Sequence, residues 1–108
     1  VWTALVAGEI RALQTDGTVT TVVSNYPLIN PVYFTTDGRL FAAQIGFDRL
    51  YEFPVDEGLA LNGEPRLVAS KIGNLNSFEI NDNNTLYGPL VNNSEVAEIN
   101  IEAMIIVS

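Results

Sequence analysis

An internal repeat restricts the fold of this chain more than any other feature. Leu40-Phe41-Ala42-Ala43 matches Leu86-Tyr87-Gly88-Pro89, and Val1-Trp2-Thr3-Ala4 echoes the pattern. A second apolar run follows each, over residues 9–13, 49–53 and 95–99, and a third closes each unit, over 20–24, 66–70 and 105–108. From the second copy to the third the offset is a constant 46 residues, and from Ser24/Ser70 to Phe53/Ile99 the copies align over 30 positions without a gap. A fixed period with several short apolar runs per unit predicts the radial four-stranded blades of a β-propeller. The competing architecture is a two-layer β-sandwich of about a hundred residues. A sandwich gives no reason for a gapless register.

Helix signals are nearly absent. Apolar residues come in pairs or alternate with polar ones, and Gly, Asn, Asp and Pro punctuate every 8 to 12 positions. In the middle repeat a first strand is predicted over 31–35, closed by the hairpin dipeptide Asp37-Gly38, then strands over 40–45, 49–53 and 66–70. The polar stretch 54–65 reads as a long loop. The last repeat gives strands over 78–81, 86–91, 95–100 and 104–107, and the first begins at its second strand, over 1–6, 9–13 and 18–23. The total is eleven strands in one partial domain spanning 1–108, with repeats at about 1–24, 25–70 and 71–108.

Three such blades form an open arc, half of a six-bladed ring. The flat outer sides of its end blades would expose apolar side chains that normally pack on a neighbour, and such faces seek partners. Two arrangements are expected: a homodimer that closes the ring, or a chain that is a piece of a longer protein with further blades.

Composition narrows the chemistry. Thirteen acidic against five basic residues give a formal charge of −8, which disfavours nucleic acid and anionic membrane as partners. No run approaches the roughly 18 apolar residues of a membrane helix. The N-terminal run 1–7 lacks a basic flank and fits the repeat, so it reads as a strand and not as a signal peptide. With no cysteine and no histidine, this chain supplies no disulfide, zinc-thiolate site, Ser-His-Asp triad or imidazole base. Neither absence assigns a compartment.

The phrase Thr36-Asp37-Gly38-Arg39-Leu40-Phe41-Ala42-Ala43-Gln44, followed by Arg49-Leu50-Tyr51-Glu52-Phe53, resembles the six-bladed propellers of the gluconolactonase, regucalcin and luciferin-regenerating-enzyme superfamily. So does Leu75-Asn76-Ser77-Phe78-Glu79-Ile80 with Thr85-Leu86-Tyr87-Gly88-Pro89-Leu90. The resemblance covers nearly the whole chain, which equals about half of a family domain. It implies a central Ca²⁺ held by Asn, Asp and Glu at the inner ends of the first strands, and a Ca²⁺-dependent lactone or ester hydrolase once the ring is complete. The matching positions are Asn30 and Asn76, 46 residues apart. The family usually has Gly after the ligand, where this chain has Pro31 and Ser77, and neither ligand slot holds a carboxylate. The alternative reading makes both Asn residues turn elements leading into their strands. At the level of the protein, the alternative to a hydrolase is a non-catalytic binding or scaffold module whose ligand the sequence does not specify, a small molecule being the candidate class.

Smaller features are read conservatively. Tyr26 and Tyr33 flank Asn30 and are candidates to line a pocket there. Trp2, Phe41 and Tyr87 fall at one repeat position and read as blade-to-blade packing. Glu52 and Glu98 also share a position and read as blade-edge residues. Gly88-Pro89 inside a strand predicts a bulge or strand end. Asp16, Asp37 and the pair Asp56-Glu57 read as turn and loop residues, and Asn83-Asn84-Thr85 and Asn92-Asn93-Ser94 match the glycosylation pattern at hairpin tips.

Overall fold

In the computed structural model, residues 1–102 and 105–106 are described, and they form an all-β protein. In chain order the strands are β1 (Trp2–Ala4), β2 (Glu9–Leu13), β3 (Val19–Val23), β4 (Ile29–Phe34), β5 (Leu40–Gln44), β6 (Arg49–Phe53), β7 (Arg66–Ser70), β8 (Glu79–Ile80), β9 (Thr85–Pro89), β10 (Val96–Asn100) and β11 (Ile105–Ile106). They make three sheets: β1-β2-β3, β4-β5-β6-β7 with β11 added at the β7 edge, and β8-β9-β10. All pairings are antiparallel except β11 with β7.

The repeat is written into the backbone as well as the sequence. Positive-φ residues recur 46 positions apart: Asn25 with Lys71, Leu28 with Asn74, Gly38 with Asn84, and Asp48 with Ser94. The turn after β4, with Gly38 N–H on the Thr35 carbonyl at 3.1 Å, recurs after β8 as Asn84 N–H on the Asn81 carbonyl at 3.1 Å. A bulge recurs too. The β4–β5 ladder shifts between Ile29 and Val32, and the bridge from Leu75 to Leu90 precedes the Glu79–Tyr87 pair with the same slip. Asn30-Pro31 and Asn76-Ser77 therefore sit on equivalent bulges.

The three sheets are layered, with the middle one between the others. Every residue of β5 is buried. Leu40 and Ala42 point toward the first sheet and join Ile10, Ala12, Val22, Val23, Ile29 and Phe53. Phe41 and Ala43 point the other way and pack, with Leu50 and Val68, against Phe78, Ile80, Leu86, Ala97 and Ile99 of the last repeat. Alternate residues leave a strand on opposite faces, so a strand clothed on both sides reads as an unbroken apolar run. The last sheet is covered on one side only, and β10 alternates strictly between exposed and buried.

Two expectations need correction. Trp2 does not share the position of Phe41. The first hairpin closes with Gly8 N–H on the Ala4 carbonyl, as the next closes with Asp48 N–H on the Gln44 carbonyl. This aligns Trp2 with Ala42, one residue away from the sequence match, and a one-residue slip reverses the face. The predicted fourth strand of the last repeat is also misplaced. Ile105–Ile106 pairs in parallel with β7 of the middle sheet, Ile105 opposite Ala69, instead of lying beside β10. The cause lies just upstream: Arg66 donates to the Ile101 carbonyl and Arg39 binds Glu102, which draws the chain toward the middle sheet. Met104 and Val107 of that predicted strand lie outside the described residues.

Candidate functional site

Asn30 and Asn76 occupy the start of the first strand in the second and third repeats. Both are exposed, and their bulges turn local backbone away from regular pairing. The Asn30 carbonyl accepts a hydrogen bond from Thr3 Oγ1 at 2.7 Å, tying the bulge to β1, while Asn76 N–H donates to the Pro89 carbonyl at 3.1 Å. Among the described residues, neither side-chain amide is engaged by another side chain. The left-handed positions that precede them are Asn25 and Leu28 in one copy and Lys71 and Asn74 in the other.

Two neutral amide oxygens fall far short of the six to eight oxygen ligands that Ca²⁺ takes. Among the described residues, no three His, Cys, Asp or Glu side chains come together as a metal cluster. Among the described residues, Asn30 and Asn76 by themselves therefore do not make up a Ca²⁺ centre, and no catalytic step follows from them.

Strong polar organisation lies nearby, in the connections. Asp48 accepts from Gly73 N–H at 2.7 Å and from Asn74 N–H at 3.0 Å, and Asn74 Oδ1 accepts from Gly46 N–H at 2.8 Å. The loop between β5 and β6 is thereby clasped to the segment that enters the last repeat. In the first repeat the corresponding residue is Gly8, and a Cβ there would lie 2.9 Å from the Tyr26 carbonyl carbon and 3.0 Å from Pro27 N. Pro27 stands where Gly73 supplies its N–H, so an Asp at position 8 would meet a residue with no proton to give. The two clasps are alternative solutions to one geometry.

At the opposite end of β4, roughly 16 Å from Asn30 at about 3.3 Å per residue, a polar cleft of about 240 Å³ separates two equivalent hairpin turns. Tyr33, Thr35 and Asp37 line one side, and Asn81, Asp82 and Asn84 the other. The Tyr33 hydroxyl donates to the Ile80 carbonyl at 3.3 Å. Asp37 accepts from Thr35 Oγ1, and Asn81 Oδ1 accepts from Asn83 N–H at 2.9 Å and Thr85 N–H at 3.0 Å. Such a cleft offers carboxylate and amide oxygens to a polar, hydroxylated ligand. Tyr26 is not part of it. Its ring meets Tyr51 and Phe53 edge-on at 5.3 and 5.0 Å on the other face of the middle sheet, and burial raises its hydroxyl pKa.

Glu52 has a role that its repeat position did not reveal. Arg39 grips it with two bonds of 2.7 and 2.9 Å, and Arg66 adds two, at 3.0 and 3.3 Å. Arg39 also binds Glu102 and lies 5.2 Å over the Phe41 ring. These hydrogen bonds, Arg39 foremost, hold the Glu52 carboxyl below its ordinary range and push the Arg39 guanidinium pKa up. Glu98 at the same repeat position accepts, among the described residues, a single long bond from the Tyr87 hydroxyl at 3.4 Å. The Glu52–Arg66 pair was available from register, because the two residues are direct cross-strand neighbours. The link to Glu102 depends on tertiary placement.

The sequence matches no family model, and no curated protein matches it.

Proposed function

We propose that the chain is a three-sheet arc of a β-propeller of the gluconolactonase-like type and that it works as a non-catalytic binding or scaffold module. The observation that carries this reading is the difference in covering at equivalent positions. Phe41 and Leu50 are 0% and 1% exposed in the middle sheet, whereas Tyr87 and Val96, their equivalents, are 44% and 69% exposed in the last. Faces built to be covered are open at the ends of the stack, as in a segment of a ring. Ligand binding would fall to the polar cleft between the hairpin turns, where oxygen donors from two repeats converge.

A tandem fusion of two copies tests the ring. Six sheets that close should melt in one cooperative transition well above the single chain, whereas a fusion that melts like the single chain refutes the propeller.

A second reading, a Ca²⁺-dependent lactone or ester hydrolase, draws on the equivalent exposed bulges at Asn30 and Asn76. It requires carboxylates from further repeats. Thermal melting of the single chain and the fusion with Ca²⁺ or chelator separates the two, since ion at a hundred times its Kd adds about 2.7 kcal/mol. The module reading expects no shift in either.

A further inference from the structure

The two exposed end faces are not alike, and their difference specifies how they pair. Residues directly opposite in an antiparallel ladder share a face. The outer face of the first sheet therefore carries Trp2 beside Arg11 and Leu13 beside Val19. Leu13 is 64% exposed and Val19 57%. The outer face of the last sheet carries Tyr87 beside Glu98, and Val96 beside Pro89.

Repeat equivalence gives each face a mate. Tyr87 and Val96 correspond to Phe41 and Leu50, the face that the middle sheet turns toward the next sheet. Trp2 and Leu13 correspond to Ala42 and Phe53, the face that the middle sheet turns toward the preceding one. Inside the molecule these two kinds of face meet twice, and always as unlike pairs. The charges do not decide the pairing. Arg11 on the first sheet's outer face is already paired with Glu9 of the same face at 2.8 Å. That face is near neutral, where the last sheet's carries Glu79 and Glu98.

We infer that the occupant is a second copy of this chain, docked head to tail. The last sheet of each copy packs on the first sheet of the other, with Tyr87 and Val96 against Trp2 and Leu13. Two such contacts related by a two-fold axis close a ring of six sheets. The inference rests on the propeller reading and adds which face binds which.

Light scattering on the unmodified chain at about 100 µM should give twice its 11.8 kDa. Leu13→Glu and Val96→Glu each alter an exposed side chain at one end, and each should be monomeric alone, because every contact uses one face of each kind. Mixed in equal amounts they should form a one-to-one dimer through the single pair of intact faces. A folded, monodisperse monomer at that concentration overturns the inference, and so does a Leu13→Glu variant that still dimerises, which would mean like faces pair. If the tandem fusion closes while the separate chains stay monomeric, the ring survives and only the second-copy occupant falls.

Discussion

The middle and last sheets are built from the same 46-residue pattern, yet they differ in what covers them. In the middle sheet β5 is buried from Leu40 to Gln44, with Phe41 on one side and Ala42 on the other. In the last sheet β9 keeps Leu86 and Gly88 inside and turns Tyr87 and Pro89 out. The first three strands, the hairpin turn, the bulge and four positive-φ positions recur in both copies; burial does not. Backbone conformation is thus a property of the repeat unit, and burial a property of its place in the stack.

The largest effect should come from breaking that contrast directly. Phe41→Ala removes a fully buried ring between two sheets and should cost about 3–5 kcal/mol. Tyr87→Ala at the equivalent exposed position should change the stability of the isolated chain by less than about 0.5 kcal/mol. Urea titration of both variants below any association threshold measures the pair, and equal losses would mean that the last face is covered.

Gly88 tests the contrast from inside the last sheet. A Cβ there would lie 2.3 Å from the Ser77 carbonyl oxygen and 2.9 Å from the Phe78 Cβ, while Ala42 at the equivalent position is accommodated. Gly88→Ala should cost on the order of 1–3 kcal/mol through overpacking. Denaturant midpoints report it, and a neutral result would mean that the bulge at Asn76-Ser77 yields freely.

Glu52 against Glu98 sharpens the comparison electrostatically. The Glu52 side chain is only 18% exposed and ligated by two arginines, so Glu52→Gln should cost roughly 1–2 kcal/mol at neutral pH, above the usual value for an exposed pair. Its folded pKa lies below the ordinary 4.5, so near that pH the unfolded chain binds more protons. Stability is therefore fully present above about pH 4.5 and is lost as pH falls through the lower folded value. Glu52→Gln should flatten this part of the acid limb in a pH series of thermal melts.

The smallest expected effect concerns Asn30 and Asn76. Asn30→Ala and Asn76→Ala should each stay within about 0.5 kcal/mol, because their exposed side-chain amides carry no packing. Thermal melts read this with and without Ca²⁺. A Ca²⁺-dependent loss specific to both variants would favour the hydrolase reading over the module.

Much of this fold was legible before any coordinates. The short apolar runs around Phe41, Leu50 and Val68 read as strands, Asp37-Gly38 marks a hairpin, and the offset predicts which turns recur. The short N-terminal copy was harder to register, because its pairing of Ala4 with Glu9 and the hydrogen bond from Gly8 to Ala4 appear only in the fold and reverse the face of Trp2. The candidate site was legible as positions and not as a constellation. Asn30 and Asn76 do fall on equivalent bulges, but Tyr26 and Tyr33 leave on opposite faces of the middle sheet. Which face a flanking side chain takes depends on a bulge that composition does not announce.

By itself the sequence determined the unit: strand order, turn positions and the alternation of apolar side chains are short-range consequences of residue type and period. Only the tertiary structure decided which of the equivalent faces are covered, where Ile105–Ile106 pairs, and that Arg39, Glu52, Arg66 and Glu102 meet. The physical reason is that local backbone preference acts over a few residues. Burial and ion pairing depend on what another part of the chain, or another chain, brings against them.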